Sequence, residues 1–173
     1  MENILSWVKT VLTTTPTRWA NLVETLPNEL VTQPPAAKEW SAAECLQHLV
    51  DTESVFPVRI RAILAGKDFA AFDPDRQGTK NQSGKSAVEI AREFSRLRAD
   101  NLTLLNQATP SDLDRQARHQ ELGVVSLREL LNEWAAHDLM HTVQAERALM
   151  QPFILGCGPW KSYFKDHLIQ NTS

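Results

Sequence analysis

Apolar residues recur along this chain at alternating three- and four-residue steps, the spacing that aligns one face of an α-helix, and no stretch of comparable length alternates apolar with polar as a half-buried strand does. The pattern predicts an all-α chain built on four long helices. The first runs from about Leu5 to Leu26. It is divided at Thr15-Pro16, where Thr15 can cap a new start, and ended by Pro27. A Pro-rich connector, Val31 to Lys38, leads to Trp40. The second helix continues through Cys45, Leu46, Leu49, Phe56, Ile60 and Leu64 to Gly66, with a kink at Pro57. Val88, Ala91, Phe94 or Ser95, Arg98, Leu102 and Leu105 carry the third to Thr109-Pro110. The fourth follows Leu127, Leu130, Trp134, His137, Met140 or His141, Gln144 and Ala148 and stops before Pro152.

The polar stretches punctuate this pattern. Ser41-Ala42-Ala43-Glu44, Ser86-Ala87-Val88-Glu89 and Ser126-Leu127-Arg128-Glu129 are capping boxes, in which serine and glutamate satisfy each other's free helix-start amides. From Gly66 to Lys85, Asp73-Pro74-Asp75, Gly78, Asn81 and Gly84 describe a long loop of the kind that covers a site. Ser111 to Gly123 reads as a polar connector. A tail with Pro159-Trp160 and Tyr163-Phe164 reads as a short extra helix packed over one end. Four helices of this length make a bundle, and with no internal repeat and no shift in composition one domain is expected over residues 1–173, its core about 15–150.

His137 and His141 interrupt the seam of the fourth helix, one turn apart, where Leu or Val belongs. An imidazole turned into an apolar core without a partner costs about 1–3 kcal/mol, and coordination of a shared cation removes that cost for both rings. A third ligand must come from elsewhere. His48 ranks first because a helix places it, then His119 in the polar connector, then His167 near the end of the chain. The competing reading is a pair of core histidines bonded to carbonyls or water. Gln144 continues the same face and either orients a ligand or bonds across helices.

Other chemistries fit less well. Glu133 precedes His137 by four residues, whereas a di-iron carboxylate bundle spaces Glu and His by three, and no glutamate follows His137 as in HExxH. Asp138 lies about 100° round the helix from His137, a poor geometry for a Ser-His-Asp relay, so a surface charge or helix-pair contact is preferred. The five tryptophans read as core and end-packing residues. Cys45 reads as a buried, inert residue and Cys157, between two glycines, as an exposed one. Neither cysteine belongs to a CxxC or a disulfide framework.

A net charge of −3 supplies no basic face for phosphates, which argues against nucleic acid as a partner. The apolar runs are broken by charge too often to enter a membrane, and Met1-Glu2-Asn3 does not open a signal peptide, so a cytoplasmic location is expected.

Trp40-Ser41-Ala42-Ala43-Glu44 through His48-Leu49, Leu122-Gly123-Val124-Val125-Ser126-Leu127-Arg128-Glu129-Leu130-Leu131, and His137-Asp138-Leu139-Met140-His141-Thr142-Val143-Gln144 together resemble the DinB-like (YfiT-related) superfamily, a likeness that spans Thr15 to Met150. The resemblance implies an up-down-down-up four-helix bundle with one divalent metal, zinc or nickel, held by His48, His137 and His141. It also implies, for some relatives, transfer of a low-molecular-weight thiol such as bacillithiol or glutathione to an electrophile, or isomerisation with mycothiol. The expected function is therefore a metal-dependent thiol S-transferase, the thiol binding the ion as thiolate and attacking a small-molecule substrate. The alternatives are a metal-dependent hydrolase and a non-catalytic metal-binding stress-response bundle. An apolar helix face allows a homodimer, with no face singled out.

Overall fold

The computed structural model describes residues 4–73 and 84–169. Its helices are α1 (Ile4–Thr25), α2 (Asn28–Thr32), α3 (Ala42–Glu53), α4 (Phe56–Leu64), α5 (Ala87–Leu105) and α6 (Leu127–Gly156). A short antiparallel hairpin, β1 (Gln116–His119) and β2 (Gly123–Ser126), precedes α6, and a 3-10 segment, Gly158–His167, follows it.

All three capping boxes form as the sequence predicts. Ser41, Ser86 and Ser126 each accept the amide of the glutamate three residues on, and each glutamate carboxylate takes back the serine amide. A cap of this kind stabilises a helix start by about 1 kcal/mol. It fixes where α3 and α6 begin, and so at which level of the bundle their histidines stand.

Two apolar clusters occupy the two halves of the bundle, with a polar layer between them. One gathers Trp19, Val23, Cys45, Leu46, Leu49, Ile90, Phe94, Ala145 and Leu149. The other gathers Val8, Leu12, Phe56, Ile60, Leu105, Leu127, Leu131 and Trp134. Passing from the second cluster to the first, α1 and α6 rise in residue number while α3 with α4, and α5, fall. The helices therefore run up, down, down, up. α5 and α6 each pack against both α1 and α3, which leaves the first two columns diagonal to each other.

Four expectations change. α1 is one continuous helix through Pro16. Proline has no amide for the carbonyl four residues earlier, and the released Leu12 carbonyl accepts from Arg98 Nη1 at 3.0 Å. The second column breaks at Ser54-Val55 into α3 and α4, with Pro57 in the first turn of α4. Here the Glu53 carbonyl, which Pro57 cannot serve, accepts from Asn101 Nδ2 at 2.7 Å. The fourth helix does not stop before Pro152 but runs to Gly156, docked by buried Leu149 and Ile154 on either side of the proline. The polar connector holds the β1–β2 hairpin, to which Phe69 adds backbone bonds with Arg118 and Gln120. Part of the 66–85 loop, residues 74–83, lies outside the described residues.

The tryptophans divide. Trp19 and Trp134 are buried in the two clusters and Trp40 is half-buried, but Trp7 and Trp160 are exposed, contrary to the core and end-packing reading. Cys45 is buried, its thiol pushed up to about 12 by burial and then by Glu44, which leaves it inert. Cys157 is half-buried and its thiol lies against the Ile154 carbonyl.

Candidate metal centre

The polar layer has two parts. In the first, Arg98 reaches across the bundle axis from α5 and is fully buried. Its Nη1 and Nη2 grip Asp138 of α6 in a bidentate pair at 2.6 and 2.9 Å. Nε and Nη2 donate to Glu53 Oε1 of α3 at 3.1 and 2.6 Å, and Nη1 donates to Leu12 of α1. All five N–H groups of the guanidinium are used, and one side chain ties together four helices. Burial alone would lower its pKa, but Asp138 and then Glu53 outweigh that and the net direction is up. Of the two readings offered for Asp138, the helix-pair contact is the one observed, and the seam of α6 runs through Trp134, Asp138, His141 and Ala145 while Met140 faces outward.

The second part is the histidine cluster. His48 from α3 and His137 and His141 from α6 bring ring nitrogens within 4.8 Å of one another. His48 Nε2 and His137 Nε2 face each other at 3.1 Å. Neutral rings fill that gap with one N–H···N bond, whereas a cation accepts both lone pairs. His141 Nδ1 donates to Gln144 Oε1 at 2.8 Å, which puts the proton on Nδ1 and leaves Nε2 as a free lone pair. His137 Nδ1 is buried with no hydrogen-bond partner among the described residues. Burial pushes the His137 pKa down to about 3, with the two neighbouring histidines, Arg98 and Arg59 acting in the same direction. His141 is lowered as well, chiefly by burial, against the opposing pull of Gln144 and Asp138. Both shifts favour the neutral ring, with its lone pair available. Three imidazole nitrogens at close range, one turned toward another and one fixed in tautomer, fit a first-row divalent cation.

Aromatic rings wall the cluster. Trp40 stacks on His141 with ring centres 5.8 Å apart and tilts against His48 at 5.1 Å, while Phe56 meets His137 edge-on at 5.9 Å. The other two candidates are elsewhere. His119 lies in β1, and the His167 carbonyl accepts from Arg147 and Gln151 at the end of the chain. The sequence reading placed Arg98 on the apolar stripe of α5 without giving it a role. A lone charge on such a stripe is itself a signal that a buried partner exists.

An up-down-down-up helical bundle with convergent histidines from its second and fourth columns defines a class of helical proteins compatible with metal binding. The sequence pattern of the DinB superfamily matches residues 12–145, and the chain belongs to that superfamily. Among solved structures it is similar to YfiT from Bacillus subtilis, described as a probable metal-dependent hydrolase with an unusual four-helix bundle topology. That likeness has 16% identity and a TM-score of 0.74 over 86% of this chain and 87% of the other. It is also similar to the DinB-like protein YjoA from Bacillus subtilis, with 18% identity and a TM-score of 0.57 over 85% and 92%. A search of curated proteins finds no match. Among the described residues no helix is long and apolar enough to cross a membrane.

Proposed function

We propose that His48, His137 and His141 hold one divalent ion, zinc or nickel, and that the protein is an enzyme that transfers a low-molecular-weight thiol to a small electrophile. The observation that carries this reading is the convergence of three imidazoles with no carboxylate or thiolate among them. Three neutral ligands leave the full 2+ charge of an ion uncompensated and leave room for an exchangeable group, the composition of catalytic and not structural sites. Such an ion supplies acidification of a bound thiol or water toward neutral pH.

The chain's own residues supply the rest. Gln144 holds the His141 tautomer, and Trp40 and Phe56 limit water on two sides. A transferase must seat two organic molecules. A cleft of about 460 Å³ bordered by Trp40, Gln144, Arg147 and Met140 adjoins His141 and offers a mixed polar and apolar seat for the thiol. In the transfer, the sulfur forms the new bond to the electrophilic carbon, the leaving group departs with the bonding pair, and the thiol proton passes to solvent.

A second reading, hydrolysis with water in place of the thiol, is favoured by the description of YfiT. The two are separated by incubating zinc- or nickel-loaded protein with an aryl halide and a panel of bacillithiol, mycothiol and glutathione. The first reading predicts metal-dependent loss of free thiol that vanishes in His137→Ala. No consumption of any thiol, with metal-dependent cleavage of esters or amides, would overturn it in favour of hydrolysis.

A further inference from the structure

A cavity of about 160 Å³ lies where α4, the β1–β2 hairpin and the first turns of α6 meet. Phe69, Leu122, Val125 and Leu130 make its walls apolar. Two polar groups in it are set up as donors. His119 Nδ1 accepts from the amides of Glu121 and Leu122 at 3.1 and 3.2 Å, so the ring proton is forced onto Nε2. Burial, and then the charge of Arg59, push the His119 pKa down, which keeps the ring a neutral single donor. Arg59 lies over the Phe69 ring at 5.9 Å, and its Nε is buried with no hydrogen-bond partner among the described residues. A buried N–H left unbonded on a charged guanidinium costs free energy that an acceptor would recover.

Two carboxylates border the cavity as well. Glu129 Oε2 is committed to the amide and hydroxyl of Ser126; Glu133 attracts Arg59 through space, with burial pushing its own carboxyl up, but it gives Arg59 Nε no hydrogen bond among the described residues. We propose that this cavity binds a small organic acid with a compact apolar body, its carboxylate held by Arg59 and His119. A planar guanidinium recognises a carboxylate's two oxygens, and the apolar walls take the body. Glu133 stands one helical turn before His137, so the acid would rest beside the histidine cluster, but its binding is independent of any ion there.

The test uses the full chain freed of metal with chelator, titrated calorimetrically with butyrate, valerate and benzoate, and with benzamide and benzylamine as comparators. Saturable binding of the carboxylates is expected. It should weaken about 10-fold or more in Arg59→Gln, less in Arg59→Lys, and disappear in Val125→Trp, which fills the cavity. His137→Ala should leave it unchanged, which keeps the outcome separate from that of the metal reading. Absence of saturable carboxylate binding, equal affinity in both Arg59 variants and the parent, or benzylamine binding as tightly as benzoate would each overturn the proposal. The Lys variant keeps the long stem and charge at that position, so it reads the loss of the Nε–H even where the Gln variant folds poorly.

Discussion

The Arg98 cluster and the histidine cluster share one layer of the bundle and two of its helices, α3 and α6, yet they are closed in opposite ways. Every N–H of the Arg98 guanidinium meets an acceptor, and even carbonyls released by Pro16 and Pro57 accept from Arg98 and Asn101. Around the histidines one ring nitrogen has no partner among the described residues, and two others face each other with only one proton's worth of bonding between them. Burial penalises any polar group that is left incomplete. The first cluster is finished by protein atoms alone, and the second is left open to an added cation. The contrast assigns structural work to one and ligand binding to the other.

The comparison is broken most severely at Arg98. Arg98→Met strands Glu53 and Asp138 as buried charges and is expected to cost about 3–5 kcal/mol, read as a drop in the urea midpoint. The triple change Glu53→Leu, Arg98→Met, Asp138→Leu should recover most of that loss. If the single change is tolerated, the cluster is not the clamp described here. The histidine side should behave in reverse. His137→Leu removes an incomplete polar group, so metal-free stability should stay within about 1 kcal/mol of the parent or rise. The about 2.7 kcal/mol that a cation adds at 100-fold excess over its Kd should vanish in the same variant.

Acid sharpens the contrast further. The unfolded chain protonates its imidazoles near 6.5, whereas folded His137 resists until about 3. Between those values the unfolded state holds the extra proton, so the stability of metal-free protein should fall as pH drops, by about 1.4 kcal/mol per pH unit for each such histidine. His137→Leu should flatten that slope in chelator-treated samples; an unchanged slope would show that another group carries it. The smallest effect is expected from Gln144→Leu. It frees the His141 tautomer and should weaken metal affinity about 10-fold without moving metal-free stability.

Local devices were legible in the sequence, and long-range ones were not. The capping boxes at Ser41, Ser86 and Ser126 need only residues three apart, and all formed. The histidine pair stood out because two imidazoles displaced apolar residues on a regular seam, and His48 joined them through its place in the resemblance. Asp138 read as a surface charge or a helix-pair contact, and the sequence did not decide between them because its partner Arg98 is 40 positions away on another helix. For the same reason Pro16 read as a break: nothing local reveals that Arg98 donates to the Leu12 carbonyl. The hairpin escaped notice because strands of four residues are too short for alternation to register. Its His119, weighed as a metal ligand, belongs instead to the Arg59 cavity.

The central claim is that the histidine cluster is completed by a cation. Elemental analysis of protein purified without added metal, then dialysed against zinc or nickel, tests it most directly. The account predicts about one ion per chain in the parent and none in His48→Ala, His137→Ala or His141→Ala. A parent that takes up no ion, or an ion retained by all three variants, would contradict it.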